Sequence, residues 1–177
     1  MTLGLAITLG ILVLIPSTNY VTTQGGNGNV TGAKFLFIQG AQSGSVSEVN
    51  ATTSTLELSD VSDKTIVFSD RPDRIVGSAS TTDFIGNWSI GENNFAVDPP
   101  NAVLIIDDEV EQRQDLGVIE LFNPEYDPEA NTLKFDIAAE NATTTSINLP
   151  GEFGQSTLVI DDDGCPQCLI PIAINLG

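Results

Sequence analysis

A chain of 177 residues with 24 acidic side chains, six basic ones and no histidine carries a net charge of −18. It therefore cannot build a Ser-His-Asp or Cys-His centre, and it has too few cations to neutralise phosphates along a nucleic acid. A hydrophobic content of 41% is enough to bury a core despite that charge, and the length suits one domain better than two.

The chain opens on an uncharged apolar run, Leu3–Ile15, closed by Pro16. The run has the length of a signal-peptide h-region and falls short of the ~20 residues that a membrane span needs. Residues 1–20 thus read as a signal peptide or a membrane anchor, although no Lys or Arg precedes the run and no A-x-A site follows it. Residues 21–32, with Gln24-Gly25-Gly26-Asn27-Gly28-Asn29 at their centre, bury little and read as a flexible linker. The folded domain is expected over residues 33–177.

Within that domain the pattern is β almost throughout. Lys34–Ile38 is aromatic and branched and lies between two glycines. Thr55–Leu58 and Thr65–Phe68 flank the polar stretch Ser59–Lys64 and predict a hairpin. Val103–Ile106 is continuously apolar and predicts a central strand buried on both faces. Leu116–Phe122 and Thr132–Ile137 enclose Asn123–Asn131, whose two prolines predict a long hairpin loop. Ser156–Ile160 and Leu169–Ile174 supply two further strands. One short helix is expected at Asp83–Trp88, capped by Thr82, with Phe84 and Trp88 on one face. Short strands at this spacing predict an all-β fold, a β-sandwich of immunoglobulin-like or jelly-roll-like type with about 8–10 strands.

Phe68-Ser69-Asp70-Arg71-Pro72-Asp73-Arg74, then Phe84 and Trp88, then Asp98-Pro99-Pro100-Asn101-Ala102 running into an apolar strand that ends in acids, resembles a group of uncharacterised secreted proteins of archaea and bacteria. The resemblance spans roughly Gly44 to Asp163 and implies secretion and a shared fold. It implies no catalytic role, since that group has no established activity.

Five sets of residues are candidates for a site. Arg71 and Arg74 could hold a ligand carboxylate through their planar forks, or could instead pin the loop through Asp70 and Asp73. Trp88 could offer a platform to a carbohydrate or peptide, or could lie in the core beside Phe84. Asp107, Asp108 and Glu109 repeat the theme of Asp161, Asp162 and Asp163, an apolar strand running into carboxylates. If both ends met, their oxygens could hold calcium, which takes about 6–8 oxygen ligands; neither run matches an EF-hand loop. Cys165 and Cys168 are spaced to close a local disulfide in an oxidising compartment, while the three upstream acids would raise a thiol pKa and argue against redox catalysis. Asn29, Asn50, Asn87 and Asn141 head Asn-x-Ser/Thr sequons.

The expectation is therefore a non-catalytic secreted or cell-surface protein with a structural or adhesive role. Its partners would be other surface proteins or further copies of itself, and it would touch a membrane only through its N-terminal segment. A calcium-dependent ligand-binding module is one alternative. A strand-exchange subunit of an extracellular assembly, donating Met1–Ile15 or Leu169–Leu176, is another.

Overall fold

The computed structural model describes residues 34–69, 71–72, 74–108, 113–139, 149–162 and 173–176. The strands in chain order are β1 (Phe35–Glu48), β2 (Ser54–Val61), β3 (Lys64–Ser69) and β4 (Ile75–Ser80), then the helix α1 (Thr81–Gly86). They are followed by β5 (Asn101–Asp108), β6 (Arg113–Asp127), β7 (Thr132–Ala139), β8 (Glu152–Phe153), β9 (Ser156–Asp162) and β10 (Ala173–Leu176).

The all-β expectation holds, but the sandwich does not. Strands β1, β2, β7, β6, β5 and β9 pair in that order, and β9 then pairs back to β1. The result is a closed six-stranded antiparallel barrel. A sandwich keeps two separate sheets with free edges, whereas each of these six strands has a neighbour on both sides. Closure depends on two strands far longer than the usual ~5–6 residues, β1 with 14 residues and β6 with 15. Strands of that length must bend, and β1 changes neighbours as it does so, from β3 at Phe35–Ile38 to β2 at Ala41–Glu48.

The interior of so narrow a barrel is filled by side chains. Alternate residues point inward and are buried: Phe35 and Phe37 on β1, Leu56 and Leu58 on β2, Leu133, Phe135 and Ile137 on β7. Ile119 and Leu121 on β6, Leu104 and Ile106 on β5, and Leu158 and Ile160 on β9 complete the lining.

The predicted hairpin between Thr55–Leu58 and Thr65–Phe68 is absent. The two segments run one after the other along the same edge of β1, with Ser59 opposite Ser43 and Ile66 opposite Ile38. Ser62 and Asp63 bulge out between them, and Ser62 N donates to Gly40 O at 2.8 Å. A bulge bends a strand, and here it splits the sheet: β2 stays in the barrel beside β7, while β3 leaves with β4 and β10.

A buried polar network holds this fork. Gln39, 1% exposed, donates from Nε2 to Ser62 O at 2.8 Å and accepts at Oε1 from Thr65 Oγ1 at 2.7 Å. Thr81 Oγ1 donates to Ser62 O at 2.7 Å, and Thr81 N donates to Asp63 O at 3.0 Å. The start of α1 is thereby tied to the bulge.

The helix cap is Ser80 rather than Thr82: the Ser80 hydroxyl accepts from Asp83 N at 3.0 Å, and its proton goes to Asp83 Oδ2 at 2.6 Å. Phe84, Trp88 and Phe95 pack together against Phe37 of β1 and Phe135 of β7. Phe84 meets Phe37 with ring centroids 4.9 Å apart, Trp88 meets Phe95 at 4.8 Å, and Trp88 meets Phe135 at 5.6 Å.

Strand β6 continues through the predicted Asn123–Asn131 loop as far as Asp127, because the register shifts between Phe122 and Glu125. Asn123 takes a φ of 46° there, so the missing N–H of Pro124 falls where the ladder is already interrupted.

One glycine is dictated by a close approach. At Gly44 an added Cβ would lie 2.5 Å from the Phe153 ring and 2.8 Å from the Glu57 carbonyl oxygen, and β8 pairs at that point through Gly44 and Phe153. Gly44→Ala is expected to cost about 2–3 kcal/mol, as overpacking against backbone does. At Gly117 the obstacle is the flexible end of Leu149 at 2.7 Å, so Gly117→Ala should cost less than about 1 kcal/mol. Urea unfolding of both variants measures the contrast; equal costs would contradict the packing of Phe153 on Gly44.

Candidate functional site

The carboxylates expected to meet around calcium are held apart by the register. Strands β5 and β9 are antiparallel neighbours, with Ala102 opposite Ile160 and Ile106 opposite Ser156. Asp107 therefore stands beyond the start of β9, where its N–H donates to Gln155 O at 3.0 Å. Asp161 and Asp162 lie at the other end of the same pair, opposite Leu36 and Phe35. Asp107 is level with Gln155, and Asp161 and Asp162 lie six and seven residues further along β9, so at ~3.4 Å per residue the two groups are separated by about 20–24 Å along the strands. Asp161 faces solvent while Asp162 is turned inward and 1% exposed. Asp108 ends β5 opposite Arg113, and Glu109 and Asp163 lie outside the described residues. Among the described residues no three His, Cys, Asp or Glu side chains gather as a metal site would require. Among the described carboxylates, strand direction thus keeps Asp107 apart from Asp161 and Asp162.

The remaining candidates are equally dispersed. Arg71 and Arg74 are exposed in the turn between β3 and β4, which is closed by Ile75 N donating to Ser69 Oγ at 2.9 Å. Asp70 and Asp73, their expected partners, lie outside the described residues. Trp88, considered as a ligand platform, is 4% exposed, with Phe84, Phe95 and Phe135 against it. It offers no open ring face. Asn50 sits in the exposed β1–β2 turn, where its Oδ1 accepts from Thr52 N at 3.0 Å and Thr53 N at 3.1 Å. Asn87 caps the C-terminus of α1 and is half-buried. Asn29, Asn141, Cys165 and Cys168 lie outside the described residues, as do residues 1–33.

A pocket of about 380 Å³ opens around Ala41, where β1 has Val61 of β2 on one edge and Ser156 of β9 on the other, lined by Gly40–Gln42, Asp60–Ser62 and Gln155–Thr157. Ser156 in its wall is buried, and its Oγ makes no hydrogen bond within the protein. The lining carries hydroxyls, amides and a single carboxylate, a set that can hydrogen-bond a small polar molecule but contains no nucleophile paired with a base.

The more extensive feature is the outer surface of the barrel, which sequence reasoning missed. Ile66 on β3, Ile38 on β1, Val159 on β9, Val103 on β5 and Val118 on β6 are mutually in register. They point away from the filled interior, because the residues on either side of each in its strand point inward. Leu36, Phe68 and Val76 form a second row beside the first, and Ile105 and Leu116 form a third. Ile66, Val76, Leu116 and Val118 are each 47–64% exposed. The signal was available in the runs Phe35–Ile38, Val103–Ile106 and Leu158–Ile160, whose apolar residues do not alternate with polar ones.

The opposite side of the barrel is charged. Lys134 on β7 pairs with Glu57 on β2 at 2.9 Å, and the Glu57 hydrogen bond and charge hold its ammonium above the usual lysine pKa. Asn123 Nδ2 donates to Asp136 Oδ2 at 2.9 Å beside that pair. The outer side thus carries this charged network along β2 and β7, whereas the apolar rows cross β3, β1, β9, β5 and β6 with Lys64, Asp161 and Glu120 beside them. Comparison with known protein families, with curated proteins and with solved structures gives no match.

Proposed function

We propose that the chain is a non-catalytic secreted or cell-surface protein with a structural or adhesive role. The observation that carries this reading is the contrast between a barrel interior packed solid with side chains and an outer face with apolar rows across five strands. Such a barrel works through its surface. The uncharged apolar run Leu3–Ile15, the absence of histidine and the net charge of −18 add support.

Intact mass of the protein recovered from the cells that produce it tests the reading. The expected result is a surface or medium fraction carrying a chain trimmed within residues 1–20 or retained with the membrane. Hexose-bearing mass increments that map to Asn50, and the loss of two hydrogens between Cys165 and Cys168, are also expected. A cytosolic chain of unmodified mass, with both thiols alkylated without reductant, would overturn it.

A further inference from the structure

Resting on the exported role proposed above, we infer that Asn50 is a glycan attachment site and that Asn87, which heads the other sequon among the described residues, is closed to modification. The four sequons are alike in sequence; the fold separates these two.

Asn50 stands at the tip of the hairpin between β1 and β2, where residues 49–52 are all exposed. The turn is closed by Val49 N and Asn50 N, which donate to Thr53 O at 3.0 and 3.1 Å. Asn50 Oδ1 accepts from Thr52 N at 3.0 Å, from Thr52 Oγ1 at 3.0 Å and from Thr53 N at 3.1 Å. All of the side-chain hydrogen bonds that Asn50 makes among the described residues thus fall on its oxygen, and Nδ2 keeps both protons for an incoming group. The same contacts hold the Thr52 hydroxyl against the amide. A sequon is read through those two groups together, and the hairpin tip offers them in contact, with no strand to be parted.

The Asn87 sequon is the opposite case. Asn87 is half-buried and closes the end of α1, its N–H directed at Asp83 O at 3.0 Å. Trp88, between the amide and the Ser89 hydroxyl, is 4% exposed against Phe84, Phe95 and Phe135. Drawing that segment into a transferase would take the ring out of the core, and a bulky polar saccharide belongs on a surface.

The donor is a saccharide linked through phosphate to a lipid. A bond forms between Asn50 Nδ2 and the anomeric carbon of the first sugar, and the bond from that carbon to the phosphate oxygen breaks. The lipid phosphate leaves with the bonding pair, and one Nδ2 proton passes to a base of the transferase.

Tryptic mapping of the full chain from the cells that produce it is the test, because the basic residues isolate the two sequons. The fragment Phe35–Lys64 holds only Asn50, and Ile75–Arg113 holds only Asn87. The expected map shows a saccharide increment on the first fragment and an unmodified mass for the second. Asn50→Gln and Thr52→Ala should each abolish the increment, and Thr52→Ser should keep it. The wild-type map decides by itself where a variant fails to fold. An exported chain with a bare Phe35–Lys64 fragment overturns the assignment and leaves the surface role standing. An increment on Ile75–Arg113 overturns the exclusion of Asn87. An increment that survives Asn50→Gln also overturns the assignment and moves the sugar to a hydroxyl. A chain held in the cytosol overturns the surface role, and the glycan with it.

Discussion

Trp88→Ala should destabilise the protein by about 3–5 kcal/mol, the cost of emptying a buried aromatic site. The ring is the hub of the only helix among the described residues: it meets Phe84 at 6.0 Å, Phe95 at 4.8 Å and Phe135 at 5.6 Å, and through Phe84 it reaches Phe37 on β1. Removing it opens a cavity beside Phe84, Phe95 and Phe135, and the loss should fall on both α1 and the barrel. Trp88→Phe should cost less than half as much, because a ring still fills most of the site and the buried Nε1 forms no hydrogen bond to be lost. Urea unfolding followed by circular dichroism measures both. A ligand platform would behave in the opposite way, losing affinity with its melting curve unchanged.

Gln39→Leu should cost about 2–3 kcal/mol, because it strips Thr65 Oγ1 of its buried acceptor and Ser62 O of one of its two donors. The change is nearly neutral in volume, so the loss is one of polar satisfaction rather than packing. The double variant Gln39→Leu with Thr65→Val should recover about 1 kcal/mol of it, since replacing both partners leaves no orphaned hydroxyl. A double-mutant cycle reads that coupling directly, and strictly additive costs would show that the fork does not depend on this network.

The strands themselves were legible in the sequence because alternation and β-branched content are local. Phe35–Ile38, Leu56–Leu58, Leu133–Ile137 and Leu158–Ile160 all fall inside observed strands. Closure into a barrel was not legible, since it rests on β9 pairing with both β1 and β5 across long stretches of chain, and no local pattern encodes a register at that distance. The Ser59–Lys64 hairpin was misread because a polar bulge in a continuing edge has the same composition as a turn. Pro124 misled for the complementary reason: a proline ends a strand only where its N–H is needed, and the bulge at Asn123 removes that need.

The acidic clusters show how far a motif can travel from its apparent meaning. Asp107 and Asp161 are both strand-end carboxylates, and only the opposed directions of β5 and β9 reveal that they occupy opposite ends. The continuous run Val103–Ile106 carried the opposite lesson. Its second apolar face predicts burial on both sides, yet in the barrel Val103 and Ile105 point outward and form part of the apolar rows. An outer face of this kind is written in the sequence as missing alternation, and it becomes visible as a surface only once the barrel closes.

The most direct test of the account is the pattern of backbone NOEs around β9 in the isotopically labelled protein. The closed barrel with its apolar outer row requires Val159 to show cross-strand contacts to Ile38 on one side and to Val103 on the other, with Val103 also joined to Val118. Contacts from Val159 to one of those neighbours alone, with rapid amide exchange along the opposite edge of β9, would mean an open sheet and would contradict both the barrel and the surface built on it.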